Sequence, residues 1–306
     1  MNAMVLLLGC LAAGIALQRA GKLRDNAPAA LNAYVINVAL PALALTHLHT
    51  TVLTADLLAS AAGAWLMLGS AALFIGFIAR KMNLSAAATG ALILTGGLAN
   101  TSFVGLPMIE AWIGRDGLPY GIVIDQLGSY LALSTFGLMV AARYSGQATQ
   151  WCTMWKRVVT FPPLIALVIA LVLRPIPFHP AIDDALARIG ATVAPIALFA
   201  VGCQLRLGEL WSRRCELALG LGYKLFLGPL LIAVLCLVLL DNKDPETAFA
   251  QTVVIFEAAM GPMIGAAVVA NHYKLDSALT SLMVGIGIPL SLLIAPLWLN
   301  VANSMA

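Results

Sequence analysis

The chain has 306 residues, 61% of them hydrophobic and only 10% charged, with a formal net charge of +3. Soluble domains carry about 25% charged residues, so this composition excludes an ordinary soluble enzyme or binding module. The basic residues are spread through short loops rather than gathered into a stripe, which leaves no nucleic-acid face.

Apolar runs of about 20 residues recur from end to end, the length that crosses a bilayer as a helix. They are continuous rather than alternating, which argues against a β-barrel. Ten segments follow one another, near residues 3–18, 29–48, 56–79, 86–113, 118–142, 158–173, 182–204, 216–240, 247–271 and 277–300. The first lacks a basic leader and a clear cleavage site, so no cleavable signal is expected. Short connections carry the charge: GKLRDN, RKMNLS, GRDGLPY, RPIPFHP, DNKDPE and NHYKLD. The longest interruption, RYSGQATQWCTMWKR at 143–157, falls almost midway. Alternate connections differ in charge. One set holds Arg19, Lys22, Arg24, Arg80, Lys81, Arg143, Lys156, Arg157, Arg206, Arg213, Arg214 and Lys274. The other holds Arg115, Arg174, Arg188 and Lys243. Basic loops stay in the cytoplasm. Ten spans then place both termini on the periplasmic face of a bacterial inner membrane.

In the second segment, Pro41 of NVALPALAL has a counterpart at Pro195 of TVAPIALFA, 154 residues on. Pro107 of FVGLPMI has one at Pro262 of AMGPMIG, 155 residues on. Residues 1–145 and 156–306 then read as two five-helix repeats. Five is odd, so the second repeat enters from the opposite face, as in many secondary transporters. His47 and His49 end the second segment with no third ligand nearby, and Cys10, Cys152, Cys203, Cys215 and Cys236 form no CxxC pair. The histidines read as surface groups and the cysteines as small apolar residues, with no metal site.

The fourth segment has about 28 residues and would measure about 42 Å as a straight helix, against a hydrocarbon core near 30 Å. Its middle, GGLANTSFVGLP, carries Gly96, Gly97, Gly105 and Pro107 around the polar run Asn100, Thr101 and Ser102. Proline removes a backbone donor. Unpaired backbone in lipid costs several kcal/mol, so a break survives only where protein or a wet cavity satisfies it. The ninth segment mirrors this with Gly261, Pro262 and Gly265, and Glu257 lies one turn earlier. Two interrupted helices at matching positions point to a substrate site where they cross. Asn100, Thr101, Ser102, Pro107, Gly261 and Pro262 are its candidate lining.

Ionisable groups inside a span are expensive and usually functional. Glu257 lies deepest and is the leading candidate for the coupling ion, with a buried partnership to Lys224 as its structural alternative. Asp125, in DQLGSY with Gln126, Ser129 and Tyr130, either binds a cation or proton or anchors a hydrogen-bond network. Lys224 either faces an anionic substrate or snorkels. Glu110 sits near the Gly114 turn and reads as a solvated helix end. No HExxH, GxSxG or Walker-type loop occurs, so neither an enzyme nor an ATP-driven pump is expected.

NVALPALAL, ANTSFVGLPMIEAWIG and the GP-broken ninth segment together resemble the auxin efflux carrier family. The most specific part is Asn-Thr-x-Phe-x-Gly-x-Pro at Asn100, Thr101, Phe103, Gly105 and Pro107. The resemblance implies the fold of the bile-acid sodium symporters. Helices 1, 2, 6 and 7 would form a scaffold that often dimerises. Helices 3–5 and 8–10 would form a transport domain that moves like an elevator. It implies a small organic anion as substrate, such as malonate or malate, and Asn100, Thr101, Ser102, Ser129 and Glu257 as ion ligands. Two departures matter: EAAMGPM lacks the symporters' glutamate-glutamine arrangement, and Asp125 stands where they favour a hydroxyl, which favours protons over sodium. The expectation is therefore an all-α carrier of ten transmembrane helices, with helices 4 and 9 broken and crossed. Beyond sodium or a proton it needs no cofactor. Its partners are an organic anion, the lipid bilayer and a second copy of itself. A cation/proton antiporter and a non-transporting receptor are the competing readings.

Overall fold

A computed structural model describes residues 2–24, 26–50, 59–146, 156, 159–173, 176, 178–205, 207–239 and 244–305. Helices fall in every apolar segment. They are α1 (Asn2–Arg19), α2 (Ala27–Tyr34), α3 (Leu40–Thr50), α4 (Ala62–Lys81), α5 (Ala86–Gly97), α6 (Leu106–Trp112), α7 (Leu118–Val123) and α8 (Leu138–Tyr144). The second half adds α9 (Pro162–Leu173), α10 (Pro180–Ala191), α11 (Val193–Gln204), α12 (Arg214–Gly222), α13 (Gly228–Leu239), α14 (Pro245–Ala258), α15 (Ile264–His272) and α16 (Ser277–Met305). No β-strand occurs among the described residues.

Among the described residues, six stretches are long and apolar enough to cross a membrane: Ala27–Thr46, Ala62–Lys81, Leu118–Tyr144, Pro180–Gln204, Arg214–Val238 and Ser277–Met305. Two shorter apolar helices, Ala86–Gly97 and Pro162–Leu173, accompany them. Leu73, Val172, Val238 and Leu293 are each at least 70% exposed. Large aliphatic groups facing outward suit contact with lipid, not water. The molecule is a multi-pass helical membrane protein.

Proline placement explains a feature that the apolar pattern does not announce. Val35–Ala39, Thr101–Gly105 and Tyr223–Leu227 are wide π turns. Each is followed, one residue later, by a proline: Pro41, Pro107 and Pro229. A proline ring clashes with the carbonyl four residues back and offers it no N–H. Widening the turn just before the ring is one relief. In all three, the residue before the proline donates five residues back: Leu40 to Val35, Leu106 to Thr101 and Gly228 to Tyr223.

Packing brings the halves together. α1 lies along α11, and α3 lies against α9 and α10. Membrane helices have no hydrophobic drive to associate, so close backbone approach through small residues matters. A Cβ at Gly14 of α1 would meet the Phe199 carbonyl oxygen, and one at Gly202 of α11 would meet that of Leu11. α5 packs on α4, α8 and α16, and α14 packs on α13, α16 and α7. Tyr130 joins the two sets of helices: its hydroxyl lies 3.2 Å from the Leu40 carbonyl and 3.3 Å from that of Pro163.

Candidate functional site

Both expected breaks exist, and they meet. α5 stops at Gly97, and the chain runs extended through Leu98, with ψ 131°, before turning at Asn100. α14 stops at Ala258, and the chain runs through Gly261 and Pro262 before α15 begins. The two gaps form one antiparallel bridge between Ala99 and Pro262. The Asn100 N–H donates to the Gly261 carbonyl at 2.8 Å, and the Met263 N–H donates to the Leu98 carbonyl at 3.0 Å. Ala99 and Pro262 are thus the non-hydrogen-bonded pair of the bridge. Proline has no N–H to give, and this is the one register in which it needs none.

That register differs from the one the prolines suggest. Pro262 sits in its break and faces Ala99, whereas Pro107 lies eight residues further on, inside the first turn of α6. There the helix has already begun at Thr101, and the wide turn just before Pro107 accommodates the missing N–H. The first break is therefore opened at Leu98–Asn100, and Pro107 widens the turn that follows it. Gly261 is tightly enclosed: a Cβ there would lie 2.9 Å from the Ile288 Cα and 2.9 Å from the Ser291 hydroxyl.

Polar side chains cluster around the crossing. Asn100 is buried, and its Oδ1 accepts the Phe103 N–H at 3.3 Å, while its Nδ2 has no partner. The Thr101 hydroxyl donates to Asp125 Oδ1 at 2.6 Å, and Gln126 Nε2 donates to Oδ2 at 2.6 Å. Asp125 is thereby held through both oxygens and tied to the first break. Ser102 and Pro107 are half-buried beside it. Ser129 is fully buried with an unpartnered hydroxyl.

Glu257 is 1% exposed, and neither carboxylate oxygen has a hydrogen-bond partner. The carboxylate lies against the bare Cα of Gly105, where a side chain would overlap it, and beside Gly121 of α7. Buried carboxylates are normally paired or hydrogen-bonded, so Glu257 is the conspicuous exception here. Asp125 and Lys224 are its charged neighbours. Lys224 is fully buried, and its Nζ donates not to Glu257 but to the Ala258 carbonyl at 2.7 Å. The sequence thus brings Asn100, Thr101, Asp125, Glu257, Lys224, Gly261 and Pro262 to one crossing. Gly105, Gly121 and Gln126 belong there as well. Gly105, in the broken stretch, and Gln126, adjacent to Asp125 in DQLGSY, had a signal in the sequence; Gly121 had none.

The remaining candidates lie apart. Glu110 is exposed at the end of α6. The side chains of His47 and His49, and Cys152, lie outside the described residues. Cys10, Cys203, Cys215 and Cys236 are free thiols.

Comparison with known proteins agrees with this geometry. The family model described as "Membrane transport protein" matches residues 1–299. An uncharacterized transporter of Methanothermobacter thermautotrophicus is 27% identical over 289 residues, covering 93% of this chain and 92% of its own. An uncharacterized transporter of Methanocaldococcus jannaschii is 25% identical over 241 residues, covering 74% of each chain. With two broken helices hydrogen-bonded at their gaps and a family match over nearly its whole length, this chain belongs to the membrane transport protein family, that of the auxin efflux carriers, and is a membrane transporter.

Proposed function

We propose that the protein is a secondary active transporter of a small organic anion, a mono- or dicarboxylate such as malonate or malate. It would lie in a bacterial inner membrane with both termini periplasmic. The observation that carries this reading is the crossing itself. Two interrupted helices share one pair of backbone hydrogen bonds, with unpartnered polar atoms of Asn100, Ser129 and Glu257 buried around it. Non-helical backbone at membrane depth is tolerated where it is buried in protein or lines a cavity, and the start of a half-helix favours anions. Asn100, Thr101, Ser102, Pro107, Lys224, Gly261 and Pro262 are the proposed substrate side. Asn100, Asp125, Ser129 and Glu257 are the proposed side of the coupling ion, sodium or a proton.

The packing supports a division of labour. α1, α2, α3, α9, α10 and α11 pair with one another across the two halves and suit a scaffold that dimerises. The helices around the crossing suit a transport domain that moves against it as an elevator. The proposed architecture is the ten-helix inverted repeat, and the antiparallel pairing of the two gaps at Ala99 and Pro262 supports it.

The test is counterflow. Purified protein in proteoliposomes preloaded with a carboxylate should accumulate the same labelled anion from outside, after a thermal-shift screen has chosen the anion. Binding without exchange would favour a receptor. A pH gradient dissipated by sodium with no organic anion present would favour a cation/proton antiporter. Glu257→Gln should abolish ion dependence; unchanged uptake and unchanged ion dependence would remove Glu257 from coupling.

A further inference from the structure

The end of α14, four residues before Pro262, creates an obligation at Ala258. In a regular helix, the Ala258 carbonyl would accept from the N–H of residue 262, and Pro262 has none. The orphan oxygen lies at the C-terminal end of α14, where Ala258 is buried. Lys224 fills it at 2.7 Å. A second proline creates the same obligation elsewhere. Pro229 leaves the Leu225 carbonyl without its helical donor, and the Trp298 indole N–H supplies one at 2.9 Å. Both orphans are satisfied by a side chain from another helix. At Leu225 a neutral donor suffices. At Ala258 the donor is an amine whose neighbours are Glu257 and, beyond it, Asp125.

Satisfying a carbonyl therefore does not require a charge, and burying one without need is costly. The end of a half-helix carries partial negative charge and, in transporters, its free carbonyls are where coupling cations bind. Lys224 occupies that place at the second break. Its place is also fixed by the backbone: it is the second residue of the wide turn Tyr223–Leu227 that precedes Pro229.

We propose that the Lys224 ammonium is a tethered cation. It fills the position at the α14 end, beside Glu257, where a free metal cation would otherwise bind, so the carrier's cycle needs no sodium or potassium there. This rests on the crossing being the transport site, as argued above, and it deepens that reading by assigning the cation of the second break to the chain itself and selecting the proton, not sodium, as the coupling ion.

The experiment uses two readouts. The first is the melting temperature of the detergent-purified protein in sodium, potassium, lithium or choline chloride at constant pH and ionic strength, which requires no transport activity. The second is counterflow in the same salts. Wild type should melt at one temperature in all four and exchange at one rate. Lys224→Ala should melt lower by on the order of 5 °C, and methylammonium or a small metal cation, but not choline, should recover most of that shift. Lys224→Gln keeps a donor for Ala258 without the charge and should exchange slower by about tenfold or more. Trp298→Phe removes the neutral donor at Leu225 and should melt lower in every salt alike.

Three outcomes would overturn the proposal. They are stabilisation of the wild type by sodium alone, a Lys224→Gln protein that melts and exchanges like wild type, and a Lys224→Ala protein whose melting no cation or amine restores. A Lys224→Ala chain that folds only when methylammonium is present during purification would count as support. Cation-specific rescue of melting without any counterflow by the wild type would sustain the tethered cation and remove the organic-anion reading instead.

Discussion

The break after α5 is closed by its own stretch of chain, whereas the break after α14 is closed from another helix. At the first, Asn100 does the local work: its Oδ1 accepts the Phe103 N–H and its carbonyl accepts the Gly105 N–H at 3.0 Å. At the second, the orphan Ala258 carbonyl waits for Lys224, 34 residues away. The two ends also differ in sign. An N-terminal end needs an acceptor, which one short polar side chain provides. A C-terminal end buried in the membrane needs a donor, and no residue of GPM has a side chain that donates. The helix that starts at the first break is thus capped locally, and the end of α14 is closed only from another helix, while the bridge between the gaps needs both breaks. Loss of a local cap costs about 1 kcal/mol. Loss of the remote donor strands a buried carbonyl and removes the cation nearest Glu257, which is the more severe case.

The strongest way to break this contrast acts on both gaps together. Gly105 follows the first break, and its bare Cα is what gives the Glu257 carboxylate of the second its room. Gly105→Val should reduce exchange to background while helix content by circular dichroism stays unchanged, because residue 105 has an ordinary helical φ of −62° and only space is lost. Overfilling of this kind costs about 1–3 kcal/mol. Wild-type exchange by Gly105→Val would show that Glu257 does not need its present position. Next in size is Thr101→Val. It removes the donor to Asp125 Oδ1 and leaves the buried carboxylate held by Gln126 at Oδ2. The cost should be about 1–3 kcal/mol in unfolding free energy. Thr101→Ser, which keeps the hydroxyl, should recover most of it. Equal melting of the Val and Ser variants would show that the Thr101–Asp125 bond adds nothing to the first break.

How much of this was legible in the sequence follows the same division. Segment positions came from hydropathy, which needs no tertiary information, and helices lie in all ten. The presence of a gap in GGLANTSFVGLP and another in FEAAMGPMIG was also legible, because glycine, proline and polar residues act on their own backbone. The register was not. Equating Pro107 with Pro262 sets a repeat of 155 residues, but Pro262 faces Ala99. A proline tells where a donor is missing, and two places tolerate that loss: a non-hydrogen-bonded pair and a helix widened just ahead of the ring. Pro262 uses one and Pro107 the other. Asp125 and Glu257 stood out as charges in apolar runs, yet the partners differ: one carboxylate is held through both oxygens and the other through neither. Lys224 was expected to face substrate or to pair with Glu257. Its actual acceptor is a main-chain oxygen, and no side-chain pattern encodes that.

The other end of α14 sharpens the contrast with the smallest expected effect. Asp244 caps it locally, as Asn100 caps the first break: Oδ2 accepts from the Thr247 hydroxyl at 2.7 Å and from its N–H at 2.9 Å. The Thr247 hydroxyl, then its N–H, hold the Asp244 carboxyl below the usual carboxylate range. A folded value below the unfolded one means that the charge stabilises the fold above the unfolded pKa of about 3.9. That contribution is lost as pH falls through the lower folded value. Asp244→Asn keeps a capping oxygen and removes the charge, so it should melt slightly below wild type at pH 7. The gap should close as pH falls below about 4 and shrink with added salt, because the group is exposed and screened. A gap that stayed constant across pH would mean that geometry, not charge, sets this cap. The outer end of α14 would then obey the same neutral local rule as Asn100, and Lys224 would be left as the one charge these two helices use to close an end.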